Sequence, residues 1–250
     1  MKKTNKILAR VLVIILSLVL ITSSVVSSTF AKYVVAKDAK STIGLQAFGI
    51  EVDLSIKDGV SKTESKKGDS VSYTVSNLTL KPGDDYSNLF TASITKTPTV
   101  DANVTITVDV TACSEDSFSV NASDFTAYDW GQDATRKYLP IGVYYGNKYV
   151  VNPYKVCTTT VETTIESAII TELAKHNSLT ATAAGNAVSG TFSKNTEIQN
   201  LSNITIGFDW PENYTTQVPG SDEIGTWIAK KTPSFTITYT ISVEQDTSSN

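Results

Sequence analysis

The residues that could carry chemistry are few, and their spacing limits what they could do. There is one histidine, His176. A histidine acting as a catalytic base needs a nucleophile and an orienting carboxylate beside it in space. His176 closes an apolar helical pattern, where a basic ring is also favoured by the helix dipole. With a single histidine no His-Glu-x-x-His zinc site can be built. Carboxylates are plentiful, and a pair of them could hydrolyse a glycosidic bond, but nothing in the spacing of Asp84, Asp85, Asp101, Asp124, Asp129 and Asp133 singles out a pair. No Asp-x-Asp-x-Asp-Gly calcium loop and no phosphate-cradling glycine motif is present. Cys113 and Cys157 are the only cysteines. In an exported chain they read either as one disulfide or as two buried thiols, and two lone cysteines are too few for a tetrahedral metal site. Trp130, Trp210 and Trp227 with Tyr144, Tyr145 and Tyr149 could stack on sugars, yet aromatics equally fill sandwich cores. The sequence therefore assigns no catalytic, metal or cofactor residue.

The elements that would hold these side chains begin with an address. Lys2, Lys3, Lys6 and Arg10 precede an apolar run from Val11 to Ile21, and Ser/Thr-rich sequence follows to Ala31. A basic start, an apolar stretch and a small-residue exit describe a secretory signal peptide, residues 1–31, cut between Ala31 and Lys32. The alternative is retention as a membrane anchor, since counting Thr22–Val26 brings the run near bilayer length. Both readings place the bulk of the chain outside the cell. The whole chain carries a formal charge of −4; without its four basic leader residues the remainder, about 219 residues, stands at −8. Such an acidic domain has no electrostatic footprint for nucleic acid. Six Asn-x-Ser/Thr triplets, at Asn77, Asn103, Asn121, Asn200, Asn203 and Asn213, matter only in a eukaryotic secretory route.

Period-two alternation dominates the rest. Phe235, Ile237, Tyr239, Ile241 and Val243 alternate with hydroxyl side chains, which on a strand gives one apolar and one polar face. Val104, Ile106, Val108 and Val110 repeat the pattern, and Val71, Tyr73 and Val75 do so briefly. Further strands are predicted at Ile50–Ile56, Gly142–Tyr145, Tyr149–Val151 and Ile204–Phe208, with Gly146-Asn147 as a tight hairpin turn. Between Ile43 and Leu54 the apolar parity slips, and Gly44 or Gly49 is expected to absorb it as a bulge. Val161, Ile165, Ile169 and Leu173 recur every four residues, which predicts one amphipathic helix over about 160–176. Thr159 and Glu162 form its capping box, and the helix covers a sheet edge or one end. Gly59–Gly68 and Thr180–Gly190 read as exposed turns or loops. The whole predicts a mainly β chain, a single antiparallel, jelly-roll-like β-sandwich over 32–250.

Three stretches give a resemblance. Ser28-Thr29-Phe30-Ala31-Lys32-Tyr33-Val34 at the leader exit, Asn77–Asp84 ending in Lys81-Pro82-Gly83-Asp84 with the strand and turn that follow through Asp101, and Trp210-Pro211-Glu212 with Asp222, Ile224, Gly225 and the strand to Gln245 together resemble the TasA/camelysin-like exported proteins of Gram-positive bacteria. The resemblance touches both ends and leaves 113–200 uncovered. It implies processing by a SipW-type signal peptidase and self-association into extracellular biofilm-matrix fibres, with matrix partner proteins. In such fibres an extended segment of one copy completes a sheet of the next; here that donor is Lys32–Ala39, with Tyr33, Val34 and Val35 as anchors. The group also carries a metallopeptidase label, for which this sequence offers no ligand set. A monomeric cell-surface adhesin or carbohydrate-binding module is the alternative expectation.

Overall fold

A computed structural model describes residues 42–112, 114–121, 135–175, 179–198, 201–212 and 221–247. In chain order the strands are β1 (Thr42–Ala47), β2 (Ile50–Ile56), β3 (Lys62–Lys67), β4 (Ser70–Thr79), β5 (Asp85–Thr95), β6 (Ala102–Ala112), β7 (Ser119–Asn121), β8 (Thr135–Leu139), β9 (Gly142–Tyr145), β10 (Lys148–Val151), β11 (Lys155–Cys157), β12 (Thr180–Ala181), β13 (Ala187–Phe192), β14 (Ile204–Asp209) and β15 (Ser234–Gln245). The helices are α1 (Val161–Leu173) and α2 (Ser221–Lys230).

Two six-stranded antiparallel sheets face each other as a β-sandwich. The first has the order β1-β2-β5-β14-β9-β10, the second β12-β13-β6-β15-β4-β3, and a small sheet β11-β8-β7 lies beside them. The alternation read in the sequence is what builds the core. Phe235, Ile237, Tyr239, Ile241 and Val243 of β15 are all buried, as are Val71, Tyr73 and Val75 of β4 and Val104 to Val110 of β6 at every second position. Each such apolar side chain contributes roughly 1.5–3 kcal/mol of transfer free energy. The sheets meet at Phe90 of β5 and Tyr239 of β15, whose ring centroids are 5.7 Å apart. The outer face carries hydroxyls, and the register pair Thr74 and Thr238 joins its Oγ1 atoms at 2.9 Å.

The predicted β2, β9, β10 and β14 are present, with Gly146-Asn147 turning between β9 and β10. Several expectations are corrected. The parity slip near Gly49 is a two-residue hairpin, not a bulge: Ala47 pairs with Ile50, and Phe48 and Gly49 both have positive φ, 52° and 82°. That combination defines the primed turn that matches strand twist. Thr180–Gly190 is not a loop, since it contains β12 and the start of β13, which pairs with β6 from Ala187 to Phe192. Lys62–Lys67 within the expected turn region is an edge strand, paired with β4 on one side only. The helix N-cap is Thr160, not Thr159: its side chain accepts from the Thr163 amide at 3.1 Å. Beside the expected helix there is a second one, α2, which buries Ile224 and Ile228. No helix among the described residues is long and apolar enough to cross a membrane.

Helix α1 fills the side of the sandwich between β9/β10 and β6/β13. Val161, Ile165, Ile169, Ile170 and Leu173 face the core, Ile170 being the most exposed of them at 3%. The apolar spacing thus gives both the helix and the face it buries.

Candidate functional site

The two described motifs that carried the resemblance meet in space. Pro82 and Gly83 form a turn in which Gly83 has φ +90°, a conformation that favours glycine. Asp84 closes it, with its Oδ2 accepting from the Lys81 amide at 2.8 Å and its own amide donating to the Lys81 carbonyl at 3.0 Å. The turn is then latched to Trp210: the Gly83 amide donates to the Trp210 carbonyl at 2.7 Å, and the Trp210 amide donates to the Asp84 carbonyl at 2.9 Å. Glu212 lies over Gly83 so closely that a Cβ there would be 2.7 Å from its Oε1. The Trp210 ring is fully buried, and its Nε1 donates to the Tyr154 hydroxyl at 3.1 Å.

Beside this latch lies a cleft of about 630 Å³, lined by Gly83, Asp84, Asp85, Ser87, Asn88, Tyr144, Gly146, Asn147, Asp209, Trp210, Pro211 and Glu212. Gly207 makes its shape. The β5–β14 register shifts there, with Ile206 opposite Phe90 and Phe208 opposite Tyr86, so residues 87–89 face Gly207 alone. A Cβ on Gly207 would lie 2.0 Å from the Ser87 carbonyl oxygen, so only glycine lets the bulged strand come this close. Asp209, the last residue of β14, accepts on Oδ2 from the Tyr149 hydroxyl at 2.5 Å and the Tyr144 hydroxyl at 3.1 Å. The two tyrosine rings pack at 4.3 Å between centroids, and Gly142 leaves room for the Tyr149 ring.

The electrostatics separate the carboxyls. Burial raises Asp209 above the ordinary carboxylate range, although the two phenols pull the other way. Asp85 is lowered, first by the Ser87 amide, which it holds at 2.8 Å. Burial also raises both phenols, and Tyr149 is raised further by its bond to Asp209. One oxygen of each of Asp84, Asp85 and Asp209 is thus held by donors of the chain. The cleft is an anionic recess suited to hydrogen-bond donors or cations. Among the described residues no group of three or more His, Cys, Asp or Glu is arranged to hold a metal ion.

Of the residues considered from sequence, Asp84, Asp85, Tyr144, Trp210 and Glu212 come together here, joined by Asp209, which no sequence motif marks. Gly207 inside a strand between Ile206 and Phe208 is the signal that could mark the place, because an interior strand glycine points to a bulge or a close approach. Asp101 is elsewhere, its Oδ1 accepting from the Lys194 amide at 2.6 Å. Trp210 is buried in the core, so it does not present a sugar platform. Cys157 ends β11 half-buried, with Sγ 3.8 Å from the Lys155 carbonyl. Ala31, Lys32, Tyr33, Val34, Val35, Cys113, Asp124, Asp129, Trp130, Asp133 and His176 lie outside the described residues.

The strand edges are the other candidate surface. Edge β3 bears Lys62, Lys66 and Lys67. Edge β10 has four residues and a register shift between Tyr149 and Val151. Edge β12 has two residues. Edge β1 differs: it has six residues in unbroken register with β2, no lysine, and Leu45 and Ala47 turned into the core. No family model matches the chain, and neither a curated protein nor a solved structure does.

Proposed function

We propose that this chain is a secreted structural subunit of extracellular-matrix or cell-surface fibres. It assembles by β-strand complementation, the extended segment after the leader, with Tyr33, Val34 and Val35, pairing with an edge strand of the next copy. The observation that supports this reading is the outer edge of β1. It is a regular strand whose outward backbone groups have no ladder partner among the described residues. It also lacks the lysines, bulges and shortness by which edges are usually blunted. Such an edge accepts an extended segment through main-chain hydrogen bonds, and alternate side chains supply specificity. In this reading the chain works through its backbone and is not an enzyme.

The test is electron microscopy of the exported chain beginning at Lys32, beside the same chain lacking Lys32–Ala39. Fibres from the first and none from the second are expected. Equal fibres from both would end the proposal. A monomeric chain that is retained on a glycan array would move the assignment to the carbohydrate-binding alternative, with the recess around Tyr144 and Asp209 as its site.

A further inference from the structure

Along β6 every second amide points toward β13. The Val108 amide donates to the Asn186 carbonyl at 2.9 Å, and β13 with its lead-in residue ends there. The next two amides of the same row lie past the end of the neighbouring strand, yet both are bonded. The Val110 amide donates to Glu166 Oε1 at 2.8 Å, and the Ala112 amide donates to Glu162 Oε1 at 3.1 Å. The spacing explains why a helix can do this. Residues four apart on a helix are separated by about 6.0 Å along its axis, and alternate residues of a strand by about 6.6–6.8 Å. Because Glu162 meets Ala112 and Glu166 meets Val110, α1 runs antiparallel to β6 as a neighbouring strand of this sheet would.

We propose that α1 is a built-in edge guard, in which Glu162 and Glu166 occupy the positions of a neighbouring strand's carbonyls and deny the Val108–Ala112 edge to a strand from a second copy. The apolar face of the helix, Val161, Ile165, Ile169 and Leu173, anchors it in the core, so the guard is permanent. The arrangement carries an electrostatic cost. Burial raises the Glu166 carboxyl, Asp109 and Glu162 push it the same way, and the Val110 amide opposes them. The carboxylate is therefore placed there against its solvation preference. Each flank of the second sheet is thus protected by a different device: lysines on β3, a helix with two carboxylates on β6 beyond β13. The guard stands on its own geometry. Its consequence, that strand exchange is confined to the β1 flank, rests on the fibre reading.

Hydrogen exchange at single amides of the purified protein tests the guard without any fibre. In the E162A/E166A chain the Val110 and Ala112 amides are expected to exchange roughly 10- to 100-fold faster than in the wild type. The Val104 and Ile106 amides, which remain under β13, serve as the reference and are expected to hold. E162Q/E166Q keeps an accepting oxygen at each position and is expected to restore protection. If the double alanine chain does not fold, E162A alone gives the same readout at Ala112. Wild-type protection in the alanine chain, or a glutamine chain as exposed as the alanine one, would overturn the guard. For its consequence, electron microscopy of the alanine chain is expected to show filaments joined side by side where the wild type gives single ones. Single filaments from a chain with exposed amides would refute the directing role, whereas absence of filaments from the wild type would refute the fibre reading and leave the exchange result standing.

Discussion

Two tyrosine hydroxyls in the core are expected to respond in opposite directions when removed. Tyr239 is 1% exposed, its hydroxyl has no hydrogen-bond partner among the described residues, and burial raises its phenol well above the ordinary value. A buried polar group left unsatisfied costs about 1–3 kcal/mol. Tyr239→Phe removes that cost and keeps the ring against Phe90. The void left by one oxygen is about 10–15 Å³, which at ~24 cal/mol per Å³ costs about 0.3 kcal/mol. The net expectation is a gain of about 1 kcal/mol, or a rise of about 2–4 °C in Tm for a chain of this size. Tyr154 is also buried, at 5% exposure, but its hydroxyl accepts from Trp210 Nε1 at 3.1 Å. Tyr154→Phe orphans that indole and is expected to lose about 1–3 kcal/mol. Urea unfolding of both variants, read as the shift in midpoint at unchanged slope, gives the two signs. A loss of more than about 1 kcal/mol in Tyr239→Phe would refute the reasoning, because it would show that the hydroxyl is satisfied within the core.

Two further expectations test the cleft and the helix start. Burial raises the folded-state value of Asp209, so the folded chain binds this proton more tightly than the unfolded one; stability from this group is present at low pH and declines as pH rises from the ordinary carboxylate range through the raised folded value. Asp209→Asn keeps an acceptor for Tyr144 and Tyr149 and is expected to flatten that decline in unfolding measurements between pH 4 and 7; an unchanged slope would contradict the assignment. Thr160→Ala removes the side-chain acceptor of the Thr163 amide and is expected to cost about 1 kcal/mol. Thr159→Ala is expected to cost less, and equal losses in thermal unfolding would return the cap to Thr159.

What the sequence disclosed follows the strength of its local signals. Alternation identified β15, β6 and β4 because their inward residues are large and apolar and every second position is polar. Strands at or next to the margins of the second sheet lack that signal. Lys62–Lys67 contains no apolar residue, and its extended state is imposed by pairing with β4. In Ala187–Phe192, glycine, serine and alanine dilute the pattern, and the strand exists because β6 offers a ladder to it. The Phe48-Gly49 turn is not legible as a turn in the sequence because phenylalanine at positive φ is not a usual turn residue. At the cleft, both motifs were visible, but their contact was not: Gly83 and Trp210 are distant in sequence, and a carboxylate at the end of β14 gives no local sign that two tyrosines will converge on it.

The treatment of the flanks gives the architecture its direction. Valine- and threonine-rich strands carry unpaired backbone groups wherever a sheet stops, and every such edge invites another chain. Here the second sheet ends in lysines on β3 and in a two-residue strand at β12, and the exposed length of β6 is closed by a helix at the expense of two carboxylates, one of them desolvated. The first sheet ends at β10 in four residues with broken register. Against these, β1 has full length, regular pairing and no charged side chain. A chain that needed only to avoid aggregation would gain from the same protection on β1. On the fibre reading the contrast is what a subunit that exchanges one strand requires, and it makes β1 the edge to alter first: Gly44→Lys or Gln46→Lys places a charge on an exposed position of this strand, and either should shorten or abolish fibres while leaving the fold intact.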